Sequence, residues 1–173
     1  MFKNILCPVD GSGHSEKALA LAIDMARTYD ATLVLLHNIL MTGVAAADLE
    51  RFARVEGLEK SVPPELARLK AVEGRLNYGF EEPPAGTSRL YVEIGQKVLD
   101  DSKSQAAAAG VKKVETVMTD GDAAARILHC IKDRKIDCVV MGSRGLSDMK
   151  ALYLGSVSHK VAQAVDCCCL TVK

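Results

Sequence analysis

Apolar positions along the chain alternate between two rhythms. Residues 3–9 (KNILCPV) form a short unbroken run stopped by Asp-Gly-Ser-Gly, which reads as a buried strand followed by a turn. In residues 14–30, Ala18, Leu19, Ala22, Ile23 and Ala26 then recur with the spacing of one helical face. Residues 31–40 are a second run without polar alternation, the pattern of a parallel strand covered on both sides. The same pair of rhythms returns downstream. Residues 89–110 predict a helix presenting Ile94 and Val98 and capped by Gly110, and residues 113–121 predict a third strand. A helix over 122–133 carries Ile127, Leu128 and Ile131, and a fourth strand over 136–142 ends at Gly142. Finally, Val157, Val161, Ala164 and Val165 mark a helix over 156–165, and residues 167–172 close the chain as a fifth strand.

Strands alternating with helices imply right-handed crossovers, an open parallel sheet and helices on both faces. The expected class is α/β, doubly wound, and 173 residues suit a single domain over 1–173. One segment breaks the rhythm. Residues 41–87 are too long for an ordinary connection and read as an insertion. Leu49, Phe52 and Val55 suit one short helix, Leu66, Leu69 and Val72 another after Pro63-Pro64, and a turn-rich loop follows. Two readings stand: a helical insertion packed over the sheet edge, or a lid or arm that docks a protein partner.

Composition narrows the classes. Hydrophobic residues make up 49% and charged residues 25%, as in a globular protein rather than a disordered one. Lys plus Arg and Asp plus Glu are 22 each, so no long-range field draws in nucleic acid or an anionic membrane. The first apolar run is too short for a signal-peptide core or a membrane span, and the expected location is the cytoplasm. Cys7, Cys130, Cys138, Cys167, Cys168 and Cys169 contain no C-x-x-C pair and read as reduced, partly buried thiols. Neighbours in a strand face opposite ways, which works against metal binding by the triplet.

The candidate chemistry lies in the turns. Ligands of open parallel sheets bind beyond the carboxyl ends of the strands, where the strand order reverses, and both Asp10–Gly13 and Gly142–Gly145 follow such ends. Gly142 and Gly145 let the backbone turn sharply and bring N–H groups close to an anion. Gly155-Ser156 opens the last helix, where unpaired N–H groups and the helix dipole favour phosphate, and its first turn holds no acidic residue. Taken singly, each glycine marks a turn and Ser156 is a helix cap. Taken together, G-x2-G-x9-G-S between a buried strand and an amphipathic helix describes a phosphate cradle.

This motif resembles the nucleotide-binding motif of the universal stress protein family, its ATP-binding branch in particular. The likeness extends to ILCPVDGSGHSEKAL, with Pro8, Asp10, Ser12 and Ser15 in the family's places, to LVLLHNI, and to KIDCVVMGSRG. It implies five parallel strands in the order 3-2-1-4-5, a homodimer and a role in stress response. By position it sets adenosine near Pro8, Val9, Asp10 and Asn38, and the phosphates of ATP near Met141, Gly142, Arg144, Gly145, Gly155, Ser156 and Val157. Asp10 then accepts hydrogen bonds from ribose hydroxyls or simply caps its turn, and Arg144 pairs with a phosphate or stays solvated. The sequence supplies donors for oxygen but no cluster of metal ligands, so Mg2+ is expected on the phosphates. Two positions depart from the family. Cys168 stands in a region where relatives often have proline, and Asn38 where they often have an apolar residue.

Other nucleotide chemistries fit less well. Gly11-x-Gly13 begins a dinucleotide fingerprint, but its third position is Glu16 and no acid ends the second strand. No Walker motif G-x-x-x-x-G-K-[ST] occurs. His14, His37, His129 and His159 are scattered, and no nucleophile has an obvious base. The expectation is a nucleotide-dependent switch with at most slow ATP hydrolysis; the alternative is a non-catalytic scaffold or docking protein that binds AMP or another nucleotide. The apolar CCCLTV run is expected at a sheet edge, where pairing with a second copy would cover it.

Overall fold

The computed structural model describes residues 1–39, 87–145 and 155–173. Residues 40–86, which hold nearly all of the expected insertion and its two short helices, lie outside the described residues, as do residues 146–154. The elements in chain order are β1 (Asn4–Pro8), α1 (Gly13–Tyr29), β2 (Thr32–Ile39), α2 (Thr87–Ala108), β3 (Val114–Asp120), α3 (Ala123–Asp133), β4 (Cys138–Gly142), α4 (Ser156–Ala164) and β5 (Cys168–Val172). All pairings are parallel and the strand order is β3-β2-β1-β4-β5. This is the doubly wound α/β sheet that the alternating pattern predicts. The order reverses between β1 and β4, and β5 lies at an edge.

The unbroken apolar runs are explained by two cores. Successive strand residues face opposite sides. Ile5 and Cys7 of β1, Leu33 and Leu35 of β2, and Cys138 and Val140 of β4 therefore join α1 and α2 in one core. Leu6, Val34, Leu36, Val139 and Met141 join α3 and α4 in the other. On α1, Ala18, Leu19, Ala22, Ile23 and Ala26 are all buried, the face that the sequence spacing marks. That helix begins at Gly13 because Ser12 caps it, its side chain accepting from the Ser15 N–H at 3.3 Å. Asp122 caps α3 in the same way through the Ala125 N–H at 2.8 Å.

The amino ends of the central strands are tied by one carboxylate. Asp137 Oδ2 accepts from the Lys3 N–H at 2.6 Å and the Asn4 N–H at 2.8 Å, just before β4 begins. The Asp137 N–H donates to the Asn4 carbonyl at 2.9 Å, and the Asp137 carbonyl accepts from the Cys168 N–H at 3.2 Å. One residue thereby sets the starts of β1, β4 and β5.

The Asn4 N–H and then that of Lys3 hold the Asp137 carboxyl below its ordinary value. A depressed native value stabilises the fold above the unfolded value, about pH 3.9, and that contribution is lost as pH falls through the lower native value. Asp137→Asn keeps the shape and removes the charge. It should lower stability by about 1 kcal/mol near neutral pH, a small figure because these bonds lie at the surface, where solvent screens them. In urea unfolding the gap from wild type should close on acidification; a gap independent of pH would show that the charge is not what ties the strands.

Candidate functional site

The carboxyl end of β1 runs into a tight set of hydrogen bonds. The Val9 N–H donates to the Leu36 carbonyl at 2.8 Å, extending the ladder one residue past Pro8. Asp10 makes an Asx-type turn, its Oδ1 accepting from the Ser12 N–H at 3.0 Å while its own N–H donates to Ser15 Oγ at 3.1 Å. That leaves Oδ2, which points toward the end of β4. A Cβ built on Gly145 would stand 2.6 Å from it, so any other residue there would push the Asp10 carboxylate aside. Asp10 thus caps its turn with one oxygen and presents the other at the meeting of β1 and β4.

The β4 turn is held from the far side. The Ser143 N–H donates to the Val172 carbonyl of β5 at 2.7 Å, and the Ser143 carbonyl accepts from the Gly155 N–H at 2.6 Å. Ser158 Oγ lies 2.8 Å from that same carbonyl and 3.0 Å from the Gly155 carbonyl. These bonds seat the start of α4 against the β4 turn. Gly155 is the N-cap of α4 and provides no side-chain cap. Ser143 Oγ is buried and finds no hydrogen-bond partner among the described residues, an orphaned polar atom in the cradle.

The remaining predicted residues distribute around these two turns. Gly142 abuts His14 at the start of α1, and Arg144 is half-buried with no carboxylate partner among the described residues. Ser156 is exposed on the first turn of α4. The Met141 side chain is buried in the core beneath α3 and α4, and Val157 packs against that core. Neither side chain faces the turns, so only their backbones are available there. Asn38 is committed to the sheet end: its Nδ2 donates to the Gly121 carbonyl at 3.0 Å and its Oδ1 accepts from Thr119 Oγ1 at 2.9 Å. The polar residue at this position ties β2 to the turn after β3.

Sequence reasoning passed over His37. The residue is 8% exposed, and its Nδ1 lies 2.8 Å from the Val9 carbonyl. A carbonyl can only accept, so Nδ1 carries the proton. The ring sits against Gly95 of α2, where a Cβ would come within 2.7 Å of Cδ2. An imidazole inside an apolar run, with a glycine at mid-helix later in the chain, is the only sequence signal for this pairing. His37 fixes the Val9 carbonyl and, through it, the peptide leading into Asp10.

A model of the universal stress protein family matches residues 1–173. The chain belongs to this family. The Bacillus subtilis universal stress protein YxiE is 33% identical over 100% of both chains. Among solved structures, the universal stress protein UspA from Lactobacillus plantarum shares the fold, with a TM-score of 0.66, 18% identity and 99% and 98% of the two chains covered. An Arabidopsis thaliana family protein with AMP bound has a TM-score of 0.58 at 16% identity, covering 99% of this chain and 91% of that one.

Burial holds the His37 pKa below the ordinary imidazole value, outweighing the Val9 carbonyl and the Asp10 charge, which both raise it. A depressed native value means that stability is full above the unfolded value, about 6.5, and falls as pH drops toward the native one. His37→Phe removes this proton linkage. Urea midpoints measured across this range should fall less steeply with acidification in the variant than in wild type, and equal slopes would remove His37 from the linkage.

Proposed function

We propose that this chain binds an adenine nucleotide, ATP with Mg2+ in particular, beyond the carboxyl ends of β1, β2 and β4, and acts as a nucleotide-dependent switch in stress response. The observation that carries the reading is the close approach of Asp10 Oδ2 to Gly145, beside the start of α4, whose N-cap residue Gly155 makes no side-chain cap. In this reading Asp10 Oδ2 accepts from ribose hydroxyls, and Pro8, Val9 and the Asn38 backbone border the adenosine. Gly142, Gly145, Gly155, Ser156 and the backbones of Met141 and Val157 surround the phosphates, and Arg144 adds a cation. The orphaned Ser143 Oγ and the absence of a Cβ at Gly145 suit such a ligand. Among the described residues no group of three or more His, Cys, Asp or Glu could hold a metal, so the cation is assigned to the phosphates.

The AMP in the Arabidopsis thaliana relative supports a second reading, a scaffold whose ligand is AMP. Calorimetry with Mg-ATP and with AMP separates the two. Gly155→Val should lower Mg-ATP affinity at least tenfold while circular dichroism stays that of the folded sheet; unchanged affinity in a folded variant would move the site elsewhere. Equal affinities for AMP and Mg-ATP in wild type would favour the scaffold. Hydrogen exchange on the same samples tests the switch, which requires altered protection in 41–87 when Mg-ATP is bound.

Edge strand β5 also supports a homodimer, because an edge leaves backbone groups ready for another strand. Light scattering at micromolar concentration should give twice the chain mass, and a monomer would count against pairing there.

A further inference from the structure

Four of the six cysteines gather at the starts of β4 and β5, away from the nucleotide site at the other end of the same strands. Cys138 and Cys168 are register partners in the parallel β4–β5 pair. Cys167 and Cys169 pack against the core beneath α3 and α4. By strand alternation, Cys168 between them turns to the opposite face, where Cys138 lies in the α1–α2 core. Neighbouring strands are about 4.8 Å apart, inside the Cα window of about 4.4–6.8 Å that a disulfide spans. The two thiols differ in access. Cys138 is 0% exposed, whereas Cys168, the first residue of the edge strand proposed above to pair with a second copy, is exposed in the single chain.

We propose that Cys138 and Cys168 form a reversible thiol-oxidation site for hydroperoxides, with Cys168 as the attacking thiol and Cys138 as the resolving one. The Cys168 thiolate attacks a peroxide oxygen, the O–O bond breaks, and the departing alkoxide or hydroxide takes up a proton, leaving a sulfenic acid on Cys168. The Cys138 thiol then loses its proton and its sulfur attacks the Cys168 sulfur. The S–O bond breaks, hydroxide leaves as water with that proton, and the disulfide forms. Two thiols are oxidised by two electrons and the peroxide is reduced by two. An external dithiol reverses the step by exchange.

The environment orders the two roles. A buried Cys138 meets no oxidant directly, so its oxidation has to pass through Cys168. Burial first, and then the neighbouring Cys168, push the Cys138 pKa up to about 12. Bonding between adjacent residues of the triplet is opposed by the alternation of their side chains.

The test uses the full chain, treated with hydrogen peroxide, alkylated under native conditions and read by mass spectrometry. The expected product has lost two hydrogen atoms, regains them with dithiothreitol, and after trypsin joins the peptide of residues 136–144 to that of residues 161–173. The double variant C167S/C169S leaves only Cys168 on the second peptide and should still give that cross-link. Cys168→Ser should abolish it and leave Cys138 unmodified, while Cys138→Ala should leave Cys168 gaining oxygen without a cross-link. Oxygen addition alone in C167S/C169S, or a cross-link that survives Cys168→Ser, would overturn the proposal. Nucleotide binding takes no part in these readouts, so either reading can fail alone.

Discussion

The stagger between β1 and β4 is the constraint on which the rest depends, and Asp137 sets it. With its carboxylate on the Lys3 and Asn4 N–H groups, Ile5 pairs with Cys138 and Leu6 with Val139. Side chains alternate with a period of two, so a slip of one residue would turn Ile5 and Cys7 into the core now filled by Leu6, and both cores would fail together. The same slip would act at the other end of the strands. Asp10 and Gly145 meet because both strands are counted from the same starting line.

Parallel pairing turns that count into a site. All five strands point the same way, so every turn that follows a strand on this side belongs to one rim, and the reversal of order between β1 and β4 opens a gap in it. The Asx turn of Asp10 occupies one side of the gap, and the Ser143–Gly155 bond the other. Neither turn is built by hydrophobic packing. The first is fixed by side-chain-to-backbone hydrogen bonds among Asp10, Ser12 and Ser15, and the second by backbone bonds to Val172 and Gly155, so that only the Asp10 carboxylate stands between them, against a Gly145 that has no Cβ.

The sequence made the architecture legible wherever a residue's role depends on its near neighbours. Unbroken runs such as those around Leu6, Leu35 and Val139 mark strands covered on both faces, and the spacing of Ala18, Ala22 and Ala26 marks a buried helix face. The glycines and Ser156 could be found as a motif, and the family followed from them. Roles set by distant partners were less accessible. His37 reads as one polar residue in an apolar run, and only the fold brings it to the Val9 carbonyl, 28 positions earlier. Asn38 reads as a change in a pocket, although its amide is committed to Thr119 and Gly121, 81 and 83 positions away. The Ser143 hydroxyl leaves no sequence signal, because a missing hydrogen bond has none.

The carboxyl end of β5 is tied to this rim as well. Val172 supplies the carbonyl that holds Ser143, and the carbonyl of Lys173 accepts from Lys17 Nζ of α1 at 3.2 Å. Whatever follows Lys173, natural or appended, therefore leaves the sheet beside the β4 turn rather than from a neutral corner. A fusion partner or affinity handle there would bear on the peptide that seats α4, whereas one placed before Met1, which is 96% exposed at the opposite end of the strands, would not.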